Sequence, residues 1–148
     1  TRCWDLFKAC RELGSEVRFA LSAEKDRYVK HHRTFGGAAW VWLKSPRDEN
    51  KVAQTLVGLK GVEAVLARHE AATKFGLMPE RIGELVVIGD GDTVFGELAC
   101  PMEDLEPGYR SHGSLHESDI PLVIYNSKLE LPPAHRFTAN LDLTRHVL

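Results

Sequence analysis

Apolar and polar positions along this chain change rhythm several times, and each rhythm predicts an element. Trp4, Leu6, Phe7, Cys10 and Leu13 recur near a helical period, which predicts a helix over 4–13 with Gly14 as its stop. A short strand follows over 17–21, and the polar stretch from 22 to 37, SAEKDRYVKHHRTFGG, reads as irregular. Residues 38–43, AAWVWL, alternate as a strand does, with Trp40 and Trp42 on one face and Val41 and Leu43 on the other. Pro46 ends that strand. Val52, Leu56 and Leu59 predict an inward helix face over 48–59, with Asp48 as N-cap and Gly61 as stop. A strand over 62–66, a short helix over 70–75 closed by Gly76, and a turn over 79–82 come next. Residues 85–88 read as a buried strand ended by Gly89-Asp90-Gly91-Asp92, and 99–108 as loop. After Pro121, residues 122–125 read as one more buried strand, and the tail closes in a helical turn around 143–147.

This order predicts an α+β protein. Residues 15–90 suit a small ferredoxin-like lobe with a mainly antiparallel sheet and helices on one face. Beyond about residue 106 the pattern is loop and a single apolar strand, which cannot build a core of its own. The division expected is therefore a lobe over 1–105 and a segment over 106–148 that adds to a larger α/β sheet. There is no internal repeat and no low-complexity tract.

Composition narrows the function classes. The chain has 148 residues, 43% hydrophobic and 27% charged, within the ordinary range for a globular domain. Its 19 basic and 21 acidic residues give a net charge of −2, without the basic excess of a nucleic-acid binder. No apolar run is long enough to span a bilayer, and the opening TRCWDLFKACREL is amphipathic and charged, unlike a signal peptide. The three cysteines include no Cys-x-x-Cys pair. Placed in one helix, Cys3 and Cys10 would stand roughly 10 Å apart along its axis, too far for a disulfide. Free thiols and a cytoplasmic location are expected.

Seven histidines are the main candidates for chemistry. His112 has the best setting, because Gly113 lets the backbone turn tightly and a loop can present the ring nitrogen to an ion. A surface histidine in a turn is the plainer reading. His112 and His116 have the spacing of a helical zinc pair, but Gly113 and Pro121 argue against a long helix there. Lys30, His31, His32 and Arg33 form a basic cluster beside Gly36-Gly37. It reads either as a solvated loop or as an anion-facing loop, with Arg33 the candidate for bidentate binding of phosphate or carboxylate. The Asp90-Gly91-Asp92 turn lacks the spaced ligands of a calcium loop.

Residues 109–126, YRSHGSLHESDIPLVIYN, resemble the last metal-ligand segment of the alkaline phosphatase superfamily: a His-Gly, then acidic residues, then a Pro opening an apolar run. Residues 69–90, HEAATKFGLMPERIGELVVIGD, resemble the stretch that precedes that His in the phosphonoacetate hydrolase and type I phosphodiesterase–nucleotide pyrophosphatase branch. The resemblance implies a hydrolase of phosphonates or phosphate esters in which two zinc ions are bound by Asp and His. A Thr or Ser attacks phosphorus, and a lid lobe is inserted between an Asp-His-Gly motif and the final His-Gly. It carries His112 over as a zinc ligand and makes residues 1–105 the lid. The chain shows no Asp-His-Gly, no earlier Asp pair and no nucleophile motif. The resemblance therefore implies the C-terminal portion of such an enzyme, inactive alone. Its partners would be the N-terminal remainder or a second chain, and a small phosphorus-containing substrate. Nucleic acid and membrane are not expected partners, and a homo-oligomer is compatible with an unpaired apolar strand.

The competing reading is a standalone α+β module that binds a ligand or a protein partner without catalysis. The two readings differ in what they expect after Pro107. A module orders that segment against its own lobe, whereas an enzyme portion leaves an apolar strand awaiting another sheet.

Overall fold

Asp5 decides where the first helix begins. The computed structural model describes residues 1–22, 33–125, 133 and 137–147. Within it Asp5 takes an extended backbone and its carboxylate accepts the Lys8 amide hydrogen, so helix α1 spans Leu6–Glu12. Trp4, expected in that helix, instead ends strand β1, Arg2–Trp4. The helical spacing of the apolar residues was real, but a strong N-cap at Asp5 moves the start of the helix two residues on, to Leu6. Cys3 accordingly lies in a strand and only Cys10 in the helix; both are buried free thiols.

The main sheet holds β2 (Val17–Ser22), β3 (Ala38–Leu43), β4 (Val62–Ala67) and β5 (Leu85–Gly89) in the order β2-β3-β5-β4. Every pair in it is antiparallel, with Phe19 opposite Trp42, Trp40 opposite Val86, and Val65 opposite Val87. A smaller sheet places β1 between β6 (Thr93–Phe95), parallel to it, and β7 (Met102–Asp104), antiparallel to it. β7 lies in the stretch expected to be loop. Three residues are too few to carry a strand signal of their own, and their pairing with β1 is what orders them.

Alternation sorts the main sheet into two faces. Ala39, Val41, Leu43, Leu85 and Val87 pack against Leu6, Cys10, Val52, Leu56 and Leu59, from α1, from α2 (Glu49–Val57) and from the residues after it. Full burial of a Leu or Val is worth about 1.5–3 kcal/mol, so Val41, Val52, Leu56 and Val87, all with no exposed surface, anchor this side. On the opposite face Ala38, Val86 and Ile88 pack against Ala71, Ala72 and Ile82, with α3 (Arg68–Phe75) laid across them. Helices thus cover both faces, not the one face expected. The side chains that bring α3 close are alanines, too small to announce a packing face.

Asp48 precedes α2 but makes no side-chain cap; Ser45 caps the preceding 3-10 turn at Pro46–Asp48 instead. Gly76 closes α3 as expected. Residues 122–125, expected to be a buried strand, are exposed coil, with Val123 and Tyr125 85% and 92% exposed. An apolar run is buried only where a sheet edge receives it, and none of the described strands pairs with it. The tail helix α4 covers Asn140–Val147, with Asp142 accepting the Thr138 and Ala139 amides at its start. Lys30, His31, His32 and His135 lie outside the described residues.

Candidate functional site

Residues 109–117 return along the edge of the lobe and dock at the start of β3. The receiving strip is Phe35-Gly36-Gly37, itself tied down by paired hydrogen bonds between Gly36 and Phe95 and by the Gly89 amide donating to the Gly37 carbonyl at 2.9 Å. The Gly37 amide donates to the His112 carbonyl at 2.8 Å, and the Ser111 hydroxyl donates to the Phe35 carbonyl. Tyr109 packs tilted on Phe35, ring centres 6.3 Å apart. Gly113 has φ +94°, a conformation that suits glycine and swings the chain away immediately after His112.

The next residues form a self-capped 3-10 turn, Leu115–Glu117. The Glu117 carboxylate accepts the Ser114 amide and hydroxyl at 2.8 and 2.6 Å, while the Ser114 hydroxyl accepts the His116 amide at 3.1 Å. His116 Nε2 lies 2.7 Å from Glu63 Oε2. Glu63 sits at an irregularity in the β4–β5 register, between Val62 opposite Gly89 and Ala64 opposite Ile88. A bulge of this kind re-aims a side chain out of the regular alternation. The Glu63 carboxylate raises the His116 pKa through its hydrogen bond and its charge, with Glu117 and Asp90 adding to the effect. Burial pushes the Asp90 carboxyl up, but hydrogen bonds from Thr93 and the Asp92 amide, with the Arg2 charge, bring it below the ordinary range.

His112 therefore stands on a loop, exposed, at the mouth of a cleft of about 30 Å³ that Gly37, Asp90, Thr93, Tyr109 and Glu117 help to line. That space suits about one water molecule, not a substrate. Larger cavities of about 500 and 540 Å³ open elsewhere, one beside α1 and β2 and one between residues 117–122 and 137–143, and neither is lined by His112 or Arg33. The spacing of His112 and His116 does not act as a helical pair: His112 precedes the short turn, and His116 is engaged by Glu63. No cluster of three or more His, Cys, Asp or Glu side chains with metal-binding geometry occurs among the described residues. A catalytic zinc takes about three protein ligands, so these residues alone do not fit a complete site.

Arg33 is engaged by Glu103 and Phe35. Its guanidinium donates to both carboxylate oxygens of Glu103, at 2.7 and 3.0 Å, and lies 4.6 Å from the Phe35 ring centre. The pairing holds the Glu103 carboxyl below its ordinary range. The sequence pattern singles out His112 and Arg33 as candidates but gives no sign of Glu63 or Glu103, whose partners are far away in the chain. An acidic residue at a strand bulge carries no local signal of its partner.

No family model matches the chain. Among solved structures it is similar to phosphonoacetate hydrolase from Sinorhizobium meliloti 1021 in complex with phosphonoformate, at 30% identity and a TM-score of 0.59 over 72% of this chain. It is similar to the same enzyme in complex with phosphonoacetate at 29% identity, with the same TM-score and coverage. The chain spans 26% of the length of these hydrolase chains. Similarity to phosphonoacetate hydrolase agrees with the resemblance of the His112 segment to the alkaline phosphatase superfamily. No helix among the described residues is long and apolar enough to cross a membrane.

Proposed function

We propose that this chain is the lid lobe and last metal-ligand segment of a metal-dependent hydrolase of phosphonates or phosphate esters, in the phosphonoacetate hydrolase branch of the alkaline phosphatase superfamily. The observation that carries the reading is the 30% identity with phosphonoacetate hydrolase over 72% of the chain. It is supported by the exposed His112, whose carbonyl accepts the Gly37 amide at the lobe edge.

In this reading residues 1–105 are the lid and residues 106–148 belong with the core of the larger enzyme. His112 is one imidazole donor of a zinc site whose other donors lie beyond the described residues. When bound, zinc supplies positive charge for the oxygens around phosphorus. This chain's own work is to position: the Gly37 and Phe35 backbone groups fix the loop, and the lobe covers the substrate. Arg33 faces the anion from the lid. Its fork already holds a carboxylate, so a phosphonate or carboxylate oxygen pair would replace Glu103 in the same bidentate geometry. The apolar residues Ile120, Leu122, Val123, Ile124 and Tyr125, all exposed, would enter a sheet of the enzyme core.

One observation favours the alternative of a non-catalytic α+β binding module. Residues 109–117 are ordered against the chain's own lobe. The exposed run that follows them favours the hydrolase.

The experiment is to purify the native protein, measure its mass together with any companion polypeptide, and assay phosphate release from phosphonoacetate. The hydrolase reading expects companion sequence carrying Asp-His-Gly, and turnover. A native species of these residues alone, without phosphate release, supports the module.

A further inference from the structure

We infer that Glu63 is a positioning residue: paired with His116, it latches residues 109–117 onto the lobe edge, and the latch is strongest when His116 carries its proton. The inference rests on the proposed function only for what His112 does; the latch itself involves neither metal nor substrate.

The segment is held at two ends. At the front, His112 and Ser111 bond the backbone of Gly37 and Phe35. At the rear, the His116 side chain meets Glu63. Between them the turn is internally locked by Ser114 and Glu117, so it moves as one piece. Fixing His116 therefore fixes Ser114, and Ser114 is the residue that sits against Gly37. Loosening the rear would free the front, and with it the position of His112. The register irregularity in β4 is the structural expense of aiming Glu63 at this point.

The groups around His116 give the latch its sign. Glu63 faces the ring from β4, Asp90 acts on it from the turn between β5 and β6, and Glu117 comes from its own turn. The ring lies over that β5–β6 turn: a Cβ on Gly91 would be 3.9 Å from the His116 Cγ. The Arg2 guanidinium is occupied by Asp90 at 3.5 Å and Thr93 at 2.8 Å. Carboxylates thus outnumber cations around the imidazole. A neutral ring can donate to Glu63 in one tautomer, but the protonated ring makes a charge-assisted bond. Because the folded pKa is raised, the added stabilisation is fully present below the ordinary histidine value and is lost as pH rises through the raised one.

The test is NMR on the 148-residue chain, following the His116 ring protons and the exchange protection of the Gly37 amide, corrected for intrinsic exchange, from pH 5.5 to 8.5. The Gly89 amide, which bonds the Gly37 carbonyl, serves as the control for general unfolding. Gly37 protection should fall about two- to threefold as His116 loses its proton, the size expected of an exposed pair, while Gly89 protection holds. Glu63→Gln should move the His116 pKa back toward the ordinary value and abolish the pH dependence. His116→Gln, whose amide can still donate to Glu63, should keep Gly37 protected at all these pH values. The latch is overturned if His116 titrates alike in wild type and Glu63→Gln, or if Gly37 protection does not follow its titration. Failure of the hydrolase reading would appear only in metal or turnover assays and would leave these results unchanged.

Discussion

Gly37 and Ser114 stand so close that a Cβ on Gly37 would lie 2.6 Å from the Ser114 Cβ and 2.8 Å from its backbone nitrogen. No side chain fits between the lobe and the docked segment at this point. Gly37→Ala should therefore lift residues 109–117 while leaving the main sheet folded. Relieving an overlap of this kind is worth about 1 kcal/mol or more, so tryptic cleavage after the exposed Arg110 should speed up by about fivefold or more. Mass spectrometry of the product ending at Arg110 reads this directly; an unchanged rate would mean that the segment is not held by this contact.

Stability resides in the face that α1 and α2 cover. Leu56 has no exposed surface, while its neighbour Val57 is 60% exposed. Leu56→Ala should cost about 2–5 kcal/mol, and Val57→Ala should stay within about 0.5 kcal/mol. Urea unfolding of the pair checks both. Equal losses would place the core elsewhere.

The sheet's main rhythm was legible because 38–43 and 85–88 alternate or run apolar with β-branched and aromatic residues. Arg2–Trp4, Thr93–Phe95 and Met102–Asp104 were not, because strands this short are defined by partners distant in sequence. The run at 122–125 shows the converse. Its composition suits a buried strand, yet composition cannot supply the sheet that would bury it, and it stands in solvent. At the site, Ser111-His112-Gly113 marked the loop correctly. What positions the loop was hidden, since Gly37 and Glu63 look like any glycine after a loop and any acid on a strand.

Glu84 ties β5 to β3 and α3. Its carboxylate accepts the Leu43 amide at 2.9 Å and Arg68 Nη2 at 2.6 Å. Burial pushes its pKa up, but the Leu43 amide and Arg68 bring it below the ordinary 4.5. A depressed folded value means that its contribution is present above about 4.5 and lost as pH falls through the lowered value. Glu84→Ala should cost about 1–3 kcal/mol at pH 7, the penalty of an orphaned hydrogen-bond network. That difference should shrink on acidification in paired denaturation curves; a pH-independent difference would assign the effect to packing.

The cysteines should divide by burial. Burial pushes Cys3 up to about 12 and Cys10 up to about 11, whereas Cys100 is exposed. At pH 8 a thiol reagent should label Cys100 rapidly, and the other two only on unfolding. Rapid labelling of all three would contradict the packing of β1 and α1.

The most direct measurement of the central proposal is the zinc content of the complete polypeptide containing these residues, in wild type and His112→Ala, alongside phosphonoacetate turnover. If His112 is the metal ligand that the hydrolase reading requires, the substitution removes one of two zinc ions and most of the activity. The isolated 148-residue chain, whose described residues include no metal-binding cluster of His, Cys, Asp or Glu, should bind zinc weakly. Unchanged zinc and turnover in His112→Ala would contradict the account, as would stoichiometric zinc in the isolated chain that is lost when His112 and His116 are both replaced.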